Sequence, residues 1–219
     1  MLSRADVLSA QVHRHLKNEI LAGHIAPGER LIESRLAEQL QTSRSPVREA
    51  LRMLQMEQLV LADNGAVRVF EPSYRDFAEI YEMRLSIEPF AAGLAAERWT
   101  DVDSDKVAAN LEKTEEVLTR TDRTEVVALN TEFHQLVWTA ARNERIHHTL
   151  EDISALMQYY CLLVFQIIQQ QTNLLEEHRA IFEALKARDG EKARREMSKH
   201  VMQDLRILDA AYLEEAMRE

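Results

Sequence analysis

Leu36-Ala37-Glu38-Gln39-Leu40-Gln41-Thr42-Ser43-Arg44-Ser45-Pro46-Val47-Arg48-Glu49-Ala50-Leu51-Arg52-Met53-Leu54 reads as two short helices around a tight polar turn. Leu36 and Leu40 recur at helical spacing on the first helix, and Val47, Leu51 and Leu54 on the second, so each has a face to bury. Arg44, Ser45, Arg48 and Arg52 are left pointing outward. Ser43 or Ser45 can cap the second helix, and Pro46 suits a first turn, where its missing N–H would have had no partner. Arg44 and Arg48, four residues apart, share one side of that helix, where guanidinium groups can reach phosphates or the O6/N7 edge of guanine in a major groove. The same spacing also fits an ordinary amphipathic hairpin whose arginines are solvated or pair with Glu38 and Glu49.

The flanking residues bear on that choice. Residues 20–69 contain Ile20-Leu21-Ala22-Gly23, Pro27-Gly28, Leu36-Ala37-Glu38, Ser43-Arg44-Ser45-Pro46-Val47-Arg48-Glu49-Ala50-Leu51 and Leu59-Val60. Together they resemble the winged helix-turn-helix of GntR-family transcription regulators. Leu59-Val60-Leu61-Ala62 and Val67-Arg68-Val69-Phe70 flank Asp63-Asn64-Gly65-Ala66, a hairpin pattern with Asn-Gly at its turn. The resemblance makes this hairpin the wing. It implies double-stranded operator DNA as partner, with contacts from Arg35, Arg44, Ser45, Arg48, Arg52, Asn64, Gly65 and Arg68. Gly65 lets backbone approach a minor groove. Ser34 stands where an arginine is common in the family, with Arg35 beside it, and Gln41 and Gln58 replace the family's usual glycines.

Of 27 Lys/Arg and 37 Asp/Glu, residues 1–70 hold nine and eight, leaving eighteen against twenty-nine for the rest of a chain of net charge −10. An acidic protein that binds DNA must gather its cations on one surface, because phosphate neutralisation supplies much of the affinity. The acidic remainder is expected to face away and to sense a ligand. The single cysteine, Cys161, excludes an internal disulfide, and its apolar surroundings Tyr159-Tyr160-Cys161-Leu162-Leu163-Val164 mark it as a buried hydrophobe. The first residues lack an apolar signal core and no apolar run is long enough to span a bilayer, so the expectation is a cytoplasmic protein without a membrane partner.

Beyond Glu71-Pro72 only helical periodicity is visible. Ser73 and Asp76 have capping-box spacing, Phe77, Ile80, Tyr81, Leu85, Ala92 and Ala95 form a stripe, and Pro89 should bend that helix. Further helices are read at about 103–120, 123–142, 144–170, 173–188 and 191–216, an antiparallel bundle. The chain is therefore expected to be mainly α, with a DNA-binding domain at 1–71 and a helical domain at 72–219. Asn130 and His134 lie four apart, and His178 and His200 fall on apolar stripes of the last two helices. Three imidazoles and an amide oxygen make a set of borderline-soft metal donors, although spacing alone fits core histidines with ordinary partners, the commoner case.

Glu82-x-Arg84, Glu88-Pro89-x-Ala91-Ala92, Asn130-x-x-Phe133-His134, Glu177-His178-Arg179-Ala180-Ile181 and Met197-x-x-His200 resemble the all-helical ligand-binding domain of FadR-type GntR regulators, called FCD. The resemblance implies a divalent ion, zinc or nickel, on Asn130, His134, His178 and His200, with Asn130 where aspartate is frequent. It also implies a small effector, an organic acid, whose carboxylate Arg84 helps to anchor. A homodimer is expected, since one recognition helix reads too few base pairs for useful specificity. The competing reading is a helical-bundle metalloenzyme. A di-iron centre needs two Glu-x-x-His motifs, and only Glu144-x-x-His147 fits, away from the other histidines.

Overall fold

The computed structural model describes residues 4–63, 66–120, 123–167 and 173–216. Cα proximity divides it into two units, Met1–Pro72 and Ser73–Glu219. In the first, α1 (Arg4–Leu21) is followed by β1 (Arg30–Leu31), α2 (Glu33–Gln39), α3 (Arg44–Met56), β2 (Val60–Asp63) and β3 (Ala66–Val69). The strands form an antiparallel sheet in the order β1-β3-β2, with Leu31 opposite Val67 and Val60 opposite Val69. α1 packs on α3, with Val12, Leu16 and Ile20 of the first and Val47, Ala50, Leu51 and Leu54 of the second buried in the core, together with Leu59 ahead of β2, Val60 of β2 and Val69 of β3. Leu8 shares the four-residue spacing of the α1 stripe but remains exposed, and on α2 Ala37 is more deeply buried than Leu36 or Leu40.

The two glutamines at the family's glycine positions keep the left-handed backbone that glycine would supply, with φ of 50° at Gln41 and 59° at Gln58. Each closes a helix. Thr42 N donates to Ala37 O (2.9 Å) and Gln41 N to Glu38 O (3.1 Å), and at the end of α3 Leu59 N donates to Leu54 O (3.0 Å) and Gln58 N to Gln55 O (3.1 Å). This is the paired hydrogen bonding of a Schellman ending, which satisfies the last helical carbonyls.

The second unit contains α4 (Tyr74–Glu97), α5 (Asp101–Leu118), α6 (Arg123–Ala140), α7 (Glu144–Ile167), α8 (Leu174–Lys186) and α9 (Gly190–Ala216). Reciprocal capping boxes start α4 at Ser73 with Asp76 and α5 at Thr100 with Asp103. Pro89 lies inside α4, which runs on to Glu97. α4 packs most extensively on α9, and α6 lies against α4, α5 and α7. Gly93 permits the close approach of the first pair: a methyl there would collide with the Arg194 side chain of α9. The stripe read on α4 is buried at Phe77, Tyr81, Ala92 and Ala95, but Arg84 and Glu88 are as deeply enclosed as these apolar residues.

Candidate functional site

On the amino-terminal unit, Ser43 occupies the cap position of α3 without a side-chain hydrogen bond. Pro46, Val47, Ala50, Leu51 and Leu54 turn inward, and Arg44, Ser45, Arg48 and Arg52 form the exposed face. Arg35 is exposed on α2. The carboxylates that engage α3 are not Glu38: Arg52 Nη1 is 3.4 Å from Glu49 Oε2, while Arg48 is gripped by Glu33, the first residue of α2. Arg68 is exposed on β3 with Nη1 donating to Gly28 O at 3.2 Å. Asn64 and Gly65 lie outside the described residues.

In the helical unit three histidines from three helices meet. His134 of α6, His178 of α8 and His200 of α9 are each at most 2% exposed, and one ring nitrogen of each lies within 4.8 Å of the other two. Two carboxylates assign the tautomers. His134 Nδ1 is 2.6 Å from Glu88 Oε2, a contact whose distance is short though its angle departs from hydrogen-bond geometry. His200 Nδ1 is 2.7 Å from Glu177 Oε2. With the ring protons on the carboxylate side, both Nε2 lone pairs point inward, and these two atoms are only 3.1 Å apart. Two lone pairs that close repel unless a cation or proton sits against them.

His178 carries the same signature in a stronger form. Its ring stacks on Phe133 with centroids 3.8 Å apart and planes 7° from parallel. Both its nitrogens are buried without a hydrogen-bond partner among the described residues. Burial holds this imidazole well below its ordinary pKa, and the neighbouring His200, His134 and Arg84 push the same way. Burial likewise lowers His134, against the pull of Glu88. Neutral imidazoles are the form in which histidine donates to a metal. Asn130 is 4% exposed; its Nδ2 faces Cys161 Sγ at 3.9 Å and its Oδ1 has no partner. Cys161 is buried, with its thiol pushed up to about 11 mainly by burial, so it stays protonated.

Arg84 is 1% exposed. Its Nε donates to Glu88 Oε1 at 2.6 Å, Nη2 lies 3.4 Å from His134 Nε2 and Nη1 3.7 Å from Asp204 Oδ2. Burial is the largest single influence and opposes charge on both Arg84 and Glu88, but the surrounding groups together outweigh it, Glu88 foremost for Arg84, and Arg84 then His134 for Glu88, whose carboxyl stays well below the usual range. Glu88 thus bridges the arginine and the first histidine. Sequence reading assigned no role to Glu33, Glu88, Glu177 or Asp204. Two had a local signal: Glu88 is one helical turn from Arg84, and Asp204 one turn from His200, with Oδ2 4.0 Å from that ring's Nε2.

Residues 8–67 match the family described as bacterial regulatory proteins, gntR family, and residues 79–203 match the FCD domain. The HTH-type transcriptional regulator YdhC of Bacillus subtilis is 31% identical over 196 residues, 89% of this chain and 88% of that protein. The HTH-type transcriptional regulator McbR of Escherichia coli is 29% identical over 208 residues, 94% of each chain. The McbR structure superposes with a TM-score of 0.80, covering 97% of this chain and all of that one. A transcriptional regulator from a Rhodococcus strain follows with a TM-score of 0.76 at 27% identity, covering 92% of this chain and 98% of that one. These relatives are regulators, which sets the metalloenzyme reading aside. Among the described residues no helix is long and apolar enough to cross a membrane.

Proposed function

Because this chain belongs to the GntR family and is a DNA-binding transcription regulator with an FCD domain, we propose that its operator binding is modulated by a small organic acid bound at a divalent metal in the helical unit. The observation that carries the metal is His178, a fully buried imidazole with both nitrogens unpartnered. A buried polar atom left without a partner is costly, and a whole ring of them is explained by a ligand that completes the set. Asn130 Oδ1 is orphaned in the same way.

Asn130, His134, His178 and His200 would hold the ion, with zinc or nickel suited to three imidazoles and one neutral oxygen. When bound, such an ion offers open positions to a carboxylate and acts as its electrophilic partner. The chain's own residues do the rest. Glu88 and Glu177 fix ring orientation and keep the Nε2 atoms basic, as carboxylates behind metal-bound histidines do. Arg84 supplies a second cation for the effector's carboxylate: its Nη1 stands beyond hydrogen-bond reach of Asp204 and can turn to a better acceptor.

On the DNA side, α3 would enter the major groove with Arg44 and Arg48 reading bases. Ser45, Arg35, Arg52 and Arg68 would contact the backbone, and Asn64 and Gly65 would approach the minor groove. A homodimer, with the helical unit supplying much of the interface, would double that readout on a pseudo-palindromic site. We assign residues 1–71 to DNA and 72–219 to effector and metal.

Elemental analysis of the purified full chain, beside fluorescence anisotropy on a duplex selected from a random pool, tests the reading. The wild type should carry about one zinc or nickel per chain, His178→Ala should carry almost none, and an organic-acid panel should shift duplex affinity only for the loaded wild type. A His178→Ala protein with full metal content would refute the site. Lost metal with an unchanged acid response would remove the ion from sensing.

A further inference from the structure

We propose that Glu33 is a positioning residue for base readout: it clamps the Arg48 guanidinium so that one edge stays aimed outward, and it trades generic phosphate attraction for selectivity. The inference rests on the reading of α3 as the recognition helix. Arg48 Nε lies 3.0 Å from Glu33 Oε1 and 3.2 Å from Oε2, and Nη2 lies 2.9 Å from Oε2. The carboxylate therefore occupies the Nε/Nη2 edge. Guanidinium has five N–H donors in a rigid plane, and this pairing leaves both hydrogens of Nη1 and one of Nη2. Those are the donors that a guanine's O6 and N7 accept side by side. The pair does not silence Arg48. It fixes the plane.

Two observations separate this from a chance surface pair. The partners are 15 residues apart on different helices, so the contact depends on the packing of α2 against α3 and not on helical spacing. Glu33 feels Arg48 first, through its hydrogen bond, and also Arg44 and Arg52, and together they hold its carboxyl below the ordinary range. It thus faces the recognition helix's whole cationic row. A carboxylate there repels every phosphate backbone, a cost to binding any duplex, and a residue that weakens indiscriminate binding while ordering the discriminating side chain increases the ratio between right and wrong sites. An unclamped arginine has many rotamers to lose on each base contact.

The test uses the full chain, a duplex selected from a random pool by the wild type, and a scrambled duplex. Glu33→Ala should bind the scrambled duplex a few-fold more tightly, with a steeper salt dependence, yet lose on the order of tenfold in the ratio of selected to scrambled affinity. Glu33→Gln, which keeps an acceptor at the same reach, should recover part of that ratio. In Arg48→Ala, adding Glu33→Ala should change the ratio no further. Replacing the Arg48-dependent guanine by 7-deazaguanine should abolish the difference in that ratio between wild type and Glu33→Ala. Equal tightening on both duplexes would overturn the proposal, since Glu33 would then be only a competitor that Arg48 leaves behind. A wild-type ratio in Arg48→Ala would overturn it differently, by removing Arg48 from base reading altogether. Both glutamate variants alter a half-buried side chain at the surface, and unchanged melting curves exclude misfolding as the cause.

Discussion

Replacing His178 by leucine should stabilise the metal-free protein and destabilise it relative to wild type once metal is added. The ring is fully buried, and neither nitrogen has a partner. In the metal-free neutral form it therefore leaves one N–H and one lone pair unmet, each costing about 1–3 kcal/mol. Leucine has similar volume and no polar atom, so no large void opens. It does forfeit the stacked contact with Phe133, worth about 0.5–1.5 kcal/mol. The balance favours the variant by about 0.5–5.5 kcal/mol under chelation. Metal at about a hundred thousand times its dissociation constant adds about 7 kcal/mol to the wild type, more than that whole advantage. For a unit of this size each kcal/mol moves Tm by roughly 2–4 °C. Thermal melts followed by circular dichroism at 222 nm, in EDTA and then in excess Zn2+ or Ni2+, should show the order of the two proteins reverse. A variant less stable than wild type by more than about 2 kcal/mol in EDTA would mean that the nitrogens already have partners. An equal metal response in the two proteins would mean that His178 is not a donor.

Glu88→Gln should destabilise the helical unit by roughly 3–5 kcal/mol in denaturant melts, because it leaves the buried Arg84 charge with only the distant Asp204; a change under 1 kcal/mol would mean that Arg84 finds another anion. Gln41→Gly and Gln58→Gly should each raise stability by about 0.5–1 kcal/mol, since glycine adopts their positive φ without the Cβ clash, and a loss in either case would show that the glutamine side chain contributes more than its backbone strain costs. In chelated protein, His134 and His178 are held below the ordinary imidazole value chiefly by burial, so their contribution is fully present above the unfolded value of about 6.5 and is lost progressively as pH falls from there toward the lowered folded values. Urea melts from pH 8 to 5 should show that decline, shallower in His178→Leu, and a flat profile would contradict it. Arg52→Ala should weaken selected and scrambled duplexes equally and reduce the salt slope by about one, whereas a change in selectivity would make Arg52 a base reader.

The recognition helix was legible because its signals are local. Val47, Leu51 and Leu54 set which side is buried, and the exposure of Arg44, Ser45, Arg48 and Arg52 follows from helical geometry alone. Core positions on one helix share a period of 3.6 residues wherever their partner lies. The same periodicity drew attention to His134, His178 and His200 as stripe residues on three helices. What it could not supply was their meeting, the 3.1 Å approach of two Nε2 atoms, or the absence of any partner for His178. Those depend on how α6, α8 and α9 pack. Arg84 and Glu88 show the limit most clearly: their four-residue spacing sets them on one side of the helix, but it is their pairing across one turn, inside the packed bundle, that lets both be buried. Glu33 and Arg48 are the surface counterpart. Nothing within either helix joins two residues 15 apart; the packing of α2 on α3 does, because a charge's partner is chosen by distance in space, and the chain encodes that distance only through its fold.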